Sequence, residues 1–186
     1  SSGTVSEDGR IEGPKDPFAI PHHARIARET ASPQVYELVA HDTAGAPTSQ
    51  LTRMAVRSKD NRLLPRGWRP DGPHVAETAP VGVGDDDDFI GGSDRTAYAV
   101  EAPGAEGPLT IRARLLFQAV PPHWVDDLRA SKASEADDFV RLYDSRSHAP
   151  EVLASHQLGT FSGARSPYSI SGPHSIRPRR HKERRE

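Results

Sequence analysis

Cysteine is missing from the 186 residues. Its absence excludes disulfides, Cys-ligated zinc and thiol catalysis. The compartment stays open, because exported proteins can fold without disulfides. Aromatic residues make up only 6% of the chain and the hydrophobic set 34%, enough apolar material for one modest core and not for two. No apolar run approaches the roughly 20 residues that cross a bilayer as a helix, so no transmembrane segment is expected. A large charge of one sign is also lacking. The net charge is −2, which gives no global pull toward nucleic acid or an anionic membrane. No signal peptide is recognisable and the first residue is Ser rather than Met, so the chain reads as a processed form or a fragment.

Glycine and proline are plentiful, at 15 and 17 residues, and they punctuate the chain. The clearest element lies within Asp85–Val120. Leu109, Ile111, Ala113, Leu115, Phe117 and Ala119 alternate with Thr110, Arg112, Arg114 and Gln118, and Leu116 is the exception. Period-two alternation marks a half-buried strand. Thr96, Tyr98 and Val100 offer an antiparallel partner. The Pro- and Gly-rich residues Ala102–Pro108 between them predict a hairpin loop. Ile111, Leu115 and Phe117 are therefore expected in the core.

Shorter signals surround this stretch. Pro33–His41 predicts a strand or a short helical run, Thr52–Arg57 a strand with Met54 and Val56 inward, and Asp42-Thr43-Ala44-Gly45 a turn. Leu63, Leu64 and Trp68 are expected to anchor a loop against the sheet, with Arg62, Arg66 and Trp68 as a recognition loop the competing reading. His74–Thr78 predicts another short strand. From Pro121 the period changes to that of a helix. Trp124, Val125 and Leu128 lie a turn apart, then Phe139, Val140, Leu142 and Tyr143 follow a capping-box-like Ser134-Glu135-Ala136-Asp137. Residues 122–144 thus read as two short helices or one interrupted helix, and Pro150–Leu158 as a closing strand. The expected fold is mainly β: an antiparallel β-sandwich-like domain over 21–158 with a helical insertion at about 122–144. A disordered lead-in covers 1–20 and a disordered basic tail 159–186. Pro and Glu within that tail weaken a nucleic-acid role, and no nucleic-acid partner is expected.

No nucleophile elbow or helical His-x-x-x-His metal motif is present, so no catalytic residue is assigned and the chain is not expected to be an enzyme. Two stretches carry ligand chemistry. His22 and His23 follow Pro21, and imidazole binds metals and haem iron, although adjacent side chains diverge on any regular element. The alternative is a plain surface segment. Asp85-Asp86-Asp87-Asp88 precedes Gly91-Gly92-Ser93-Asp94. Oxygen-rich, glycine-containing loops hold Ca²⁺, and Asp88 and Asp94, flanking the glycine turn, are the candidate ligands. The alternative is a solvated acidic loop, since EF-hand spacing is missing.

Four segments together, Val35-Tyr36-Glu37, Lys59-Asp60-Asn61-Arg62-Leu63-Leu64-Pro65-Arg66-Gly67, Asp88-Phe89-Ile90-Gly91-Gly92-Ser93-Asp94 and Leu115-Leu116-Phe117-Gln118, resemble the β-rich C-terminal region of bacterial multihaem c-type cytochromes. The Pro21-His22-His23 segment belongs to the same likeness, which covers about residues 20–157. The resemblance implies an exported electron-transfer system, periplasmic or extracellular, with the haems N-terminal to this module. Without Cys-x-x-Cys-His the chain holds no covalent haem c. The resemblance therefore implies a haem-free accessory module that docks with a c-type cytochrome subunit or an upstream haem domain. His22 or His23 is the candidate axial ligand to a neighbouring haem. The competing reading is a Ca²⁺-stabilised module that binds glycan or protein through the acidic loop.

Overall fold

The computed structural model describes residues 4–12, 18, 20–26, 33–99, 108–131 and 133–162. In chain order the elements are β1 (Thr4–Val5), β2 (Ile11–Glu12), β3 (Arg25–Ile26), β4 (Leu38–His41), β5 (Val56–Asp60), α1 (Val75–Thr78), β6 (Ala97–Tyr98), β7 (Pro108–Phe117), α2 (Pro122–Ala130), α3 (Ser134–Asp144) and β8 (Glu151–Ser162). The architecture is small and mixed α/β. Among the described residues the strands form four two-stranded sheets, β1–β2, β3–β6, β4–β5 and β7–β8. Three of these pairs are antiparallel, and β3–β6 is parallel.

Most of the buried residues lie in β3, in β4 and β5, and in the segments around them. Ile20, Ile26, Val39, Ala40, Leu64 and Phe89 are buried there. A fully buried Val, Ile or Phe contributes about 1.5–3 kcal/mol. The predicted turn after β4 forms by its expected chemistry. Asp42 Oδ1 accepts from the Ala44 and Ala46 N–H groups at 2.9 and 3.0 Å, and Gly45 takes a φ of 82° that an L side chain rarely adopts. A β-bulge between Val39 and Ala40 interrupts the β4–β5 register.

The helical insertion forms as two helices. Pro122 opens α2, where its missing N–H costs nothing, and Glu135 and Asp137 occupy the first turn of α3 near the positive end of its dipole. Val125 and Ala136 are buried. Arg10 donates to Asp126 at 2.8 Å, and the Ser49 N–H donates to Asp127 at 3.1 Å. These bonds tie α2 to the β1–β2 hairpin and to the segment before β5.

Several expectations need correction. The long strand β7 pairs with β8, with Ile111 opposite Leu158 and Leu115 opposite Ala154, while β6 pairs with β3 instead. Alternation identifies a strand with one apolar face but says nothing about its partner. Nor are Leu115 and Phe117 core residues: they are 39% and 52% exposed, and Ile111 is only half-buried. Val56 points outward while Met54 is half-buried. Of the three expected anchors of the loop, Leu64 is buried, Trp68 is half-buried and Leu63 is exposed. His74–Thr78 contributes the helical turn α1, not a strand. Within the expected lead-in, residues 4–12 form a hairpin, with the Ser6 N–H bonded to Arg10 O at 2.9 Å. Of the loop expected over Ala102–Pro108, Pro108 belongs to β7, and of the tail expected over 159–186, residues 159–162 belong to β8; residues 102–107 and those beyond 162 lie outside the described residues.

Candidate functional site: a hydrogen-bonded node around His22

Four stretches far apart in sequence meet at the His22 ring, which is 2% exposed. Its Nε2 is 2.7 Å from Asp86 Oδ2. Its Nδ1 faces Gln34 Nε2 at 2.8 Å and Asn61 Nδ2 at 3.0 Å. Backbone groups fix both amides. The His23 N–H donates to Gln34 Oε1 at 2.9 Å, so the nitrogen of Gln34 must turn toward His22. The Glu37 N–H donates to Asn61 Oδ1 at 2.9 Å, and Asn61 Nδ2 donates to Val35 O at 2.9 Å. With two N–H donors aimed at it, Nδ1 is the acceptor nitrogen, and Nε2 carries the proton that Asp86 accepts. Phe89 closes the node, its ring edge-on to the imidazole at 5.3 Å.

Asn61 is fully buried, at 0% exposure. It follows β5 directly, and its own N–H donates to Glu37 O at 3.2 Å, so it pairs with Glu37 as though extending the strand ladder. Beside it Lys59 Nζ donates to Val35 O at 2.9 Å and to Glu37 Oε1 at 3.0 Å. Burial pulls the Lys59 ammonium below its usual range and pushes the Glu37 carboxyl above its own, while the attraction within the pair opposes both shifts. Asp60 faces the other way. Burial would raise its carboxyl, but the two bonds from Arg62 at 2.8 Å and that from Arg57 at 3.1 Å outweigh this and hold it below the carboxylate range.

The acidic loop reaches the node through two of its carboxylates. Asp86 binds His22, and Asp94 Oδ2 accepts the Tyr36 hydroxyl at 2.5 Å. Burial, reinforced by that carboxylate, raises the Tyr36 phenol well above its usual range. Asp88 and Asp94 are brought together at the Arg95 N–H, which lies 3.0 Å from Asp88 and 2.7 Å from Asp94. The loop packs on the segment that follows Asn61. The Gly92 N–H donates to Leu64 O at 2.8 Å. A Cβ on Gly91 would lie 2.7 Å from Trp68 O, and Gly92 has a φ of +84° with Arg66 Cγ 2.5 Å from the place of a Cβ. Gly91 is needed because one backbone touches another here, and Gly92 because of its positive φ.

The ligand chemistry can be weighed against this geometry. Donor atoms of His22, Asp86 and Asp94 lie within 4.8 Å of one another. A metal on Nε2 needs the ring proton at Nδ1, facing a carboxylate or carbonyl. Here Nδ1 faces two fixed amide donors, so the set does not fit a metal. His22 does not fit an iron ligand for the same reason, and its ring is buried besides. His23 is half-buried, and burial first, then the Lys59 charge, lowers its imidazole toward the neutral form.

Of the residues singled out from sequence, the structure joins His22 to Asp94 and Asp94 to Asp88. It adds Asp86, Gln34, Tyr36 and Asn61, to which sequence reasoning gave no role. Asp86 stands in a run of four identical residues and had no distinguishing signal. Asn61 had none either: the strand expected from sequence ends at Arg57, and only the structure carries it to Asp60. Comparison with protein-family models, curated proteins and solved structures gives no match.

Proposed function

We propose that the chain is a non-catalytic accessory module of an exported multihaem c-type cytochrome system, docking against a haem-bearing subunit or an upstream haem domain. One observation carries this reading. Four of the five segments in which the resemblance lies, Pro21-His22-His23, Val35-Tyr36-Glu37, Lys59–Gly67 and Asp88–Asp94, converge on a single hydrogen-bonded node, while Leu115–Gln118 lies at the end of β7. Most of a likeness scattered over the sequence thus corresponds to one structural unit. Its polar groups are committed to one another, which favours a rigid docking body over a reactive centre. The β-sandwich-like packing implied by the resemblance belongs to the same proposal.

The axial-ligand role is proposed for His23, whose half-buried imidazole is held toward its neutral, ligating form by burial and the Lys59 charge. A second reading, a Ca²⁺-stabilised module that binds glycan or protein, rests on the meeting of Asp88 and Asp94 at the Arg95 N–H. To test the first reading, the purified chain is mixed with a multihaem c-type cytochrome from the organism that produces it. The expected result is a complex in sedimentation that carries the haem absorbance, whose low-spin spectrum turns partly high-spin with His23→Ala. A complex with an unchanged spectrum removes the ligand role and keeps docking. No co-sedimentation refutes the module reading.

A further inference from the structure

A ladder of alternating charges joins the β1–β2 hairpin to α2 and α3. It runs Asp8, Arg10, Asp126, Arg129, Asp144. Arg10 Nε lies 3.3 Å from Asp8 and its Nη1 2.8 Å from Asp126. Arg129 Nε lies 3.9 Å from Asp126 and its Nη2 2.5 Å from Asp144. Gln118 also holds the hairpin, its Nε2 lying 2.9 Å from both Asp8 O and His148 O. The five charged residues border a cavity of about 140 Å³, whose remaining walls are Pro122, Val125, Tyr143 and His148. Val125 is 1% exposed. The Tyr143 and His148 rings stack at 3.8 Å, within 2° of parallel. One group here is unsatisfied: the Tyr143 hydroxyl is buried and has no hydrogen-bond partner. The charges that act on it are those of Arg10, Asp8, Asp126 and Asp144, so it faces the ladder. A buried hydroxyl without a partner is destabilising, and a guest that bonds to it removes that cost.

We propose that this cavity binds a small primary amine in its cationic form, with the ammonium between the Tyr143 hydroxyl and Asp144 and the carbon chain on Pro122 and Val125. The sign of the guest follows from the ladder. It begins and ends on a carboxylate, so three carboxylates face two guanidiniums and one negative charge is in surplus. Asp144 meets Arg129 through Oδ1, which leaves Oδ2 to accept from the guest. An ammonium only donates, and the Tyr143 oxygen can accept. An anion fits poorly, because Arg10 and Arg129 each already lie between two carboxylates. A bare metal ion fits no better, since among the described residues Asp8, Asp126 and Asp144 do not converge as a ligand set. Water would satisfy the hydroxyl but would leave Pro122 and Val125 against a polar guest. The size suits a short chain: a cavity of about 150 Å³ takes up benzene, so there is room for about three carbons beside the ammonium.

The inference is independent of the cytochrome reading and is tested on the purified chain alone. Propylammonium is titrated at about pH 8, where an ordinary imidazole is neutral and an alkylamine is charged. The readout is the amide resonances of Val125, Asp126 and Tyr143 in ¹⁵N-correlated NMR spectra. They should move saturably, with a millimolar dissociation constant. Propanol and propionate, of the same length but neutral and anionic, should move them little. Asp144→Asn removes the surplus charge and should weaken propylammonium about tenfold. Tyr143→Phe should weaken it about fivefold. Asp138→Asn, an exposed acid of α3 outside the cavity, should bind as the parent does. If Tyr143→Phe does not fold, Asp144→Asn decides, because that side chain is half exposed. The proposal is overturned if propylammonium gives no saturable shift, if propanol or propionate binds as well, or if Asp144→Asn binds like the parent.

Discussion

Asn61→Ala tests whether the node organises the fold. The side chain is fully buried and makes three bonds, to Val35 O, the Glu37 N–H and His22 Nδ1. Their losses are unequal. Val35 O keeps the Lys59 ammonium, and His22 Nδ1 keeps the Gln34 amide, so each of those bonds costs about 1 kcal/mol net. The Glu37 N–H loses its acceptor, and an orphaned buried donor costs about 1–3 kcal/mol, toward the lower end if one water fills the space. The expected destabilisation is about 3–5 kcal/mol, or a fall in Tm of roughly 10 °C for a chain of this size. Urea titration followed by circular dichroism reads it directly. Asn61→Asp keeps the shape and the acceptor for Glu37 but turns a carboxylate oxygen toward Val35 O and His22 Nδ1, both acceptors. It should be at least as damaging at neutral pH. Arg69→Ala, which removes an exposed pair with Asp71, is the control and should leave the midpoint unchanged. A loss below about 1 kcal/mol for Asn61→Ala would show that the node does not organise the fold.

Two further outcomes follow from the same geometry. Because the Tyr36 phenol is raised above its ordinary value of 10.0 in the folded chain, the folded state keeps a proton that the unfolded state loses above that pH. Stability supplied by Tyr36 is therefore full below pH 10.0 and declines as pH rises past it. Lys59, lowered in the folded chain, contributes with the opposite sign. The comparison is thus parent against Tyr36→Phe, whose urea midpoint should fall less steeply above pH 10, and parallel curves would refute the assignment. The node reading also expects millimolar Ca²⁺ or EDTA to leave Tm unchanged. A rise with Ca²⁺ that Asp88→Asn abolishes would instead establish the calcium reading.

The sequence by itself determined what local chemistry controls. The Asp42–Gly45 turn follows from an Asx bond and a glycine that tolerates positive φ. The helical insertion follows from a change of hydrophobic period at Pro121, with Pro122 and the acids of α3 at their helix starts. The strand character of residues 109–117 follows from alternation. Each signal lies within a few residues of the structure that it specifies. Tertiary structure decided the rest, because pairing and burial depend on residues distant in sequence. Alternation along β7 was the same whether its partner was β6 or β8, and it could not reveal that Leu115 and Phe117 would lie on an open face. His22 and Asp94 were legible only as carriers of ligand chemistry in separate segments. Their meeting with Asp86, Gln34, Tyr36 and Asn61 required the chain to bring four stretches together. Even the direction of the His22 proton was set there, by two amides whose orientation depends on backbone N–H groups at His23 and Glu37. A histidine, an amide and a carboxylate have their chemistry in the sequence, but which of them donates and which accepts is fixed by what the fold places opposite them.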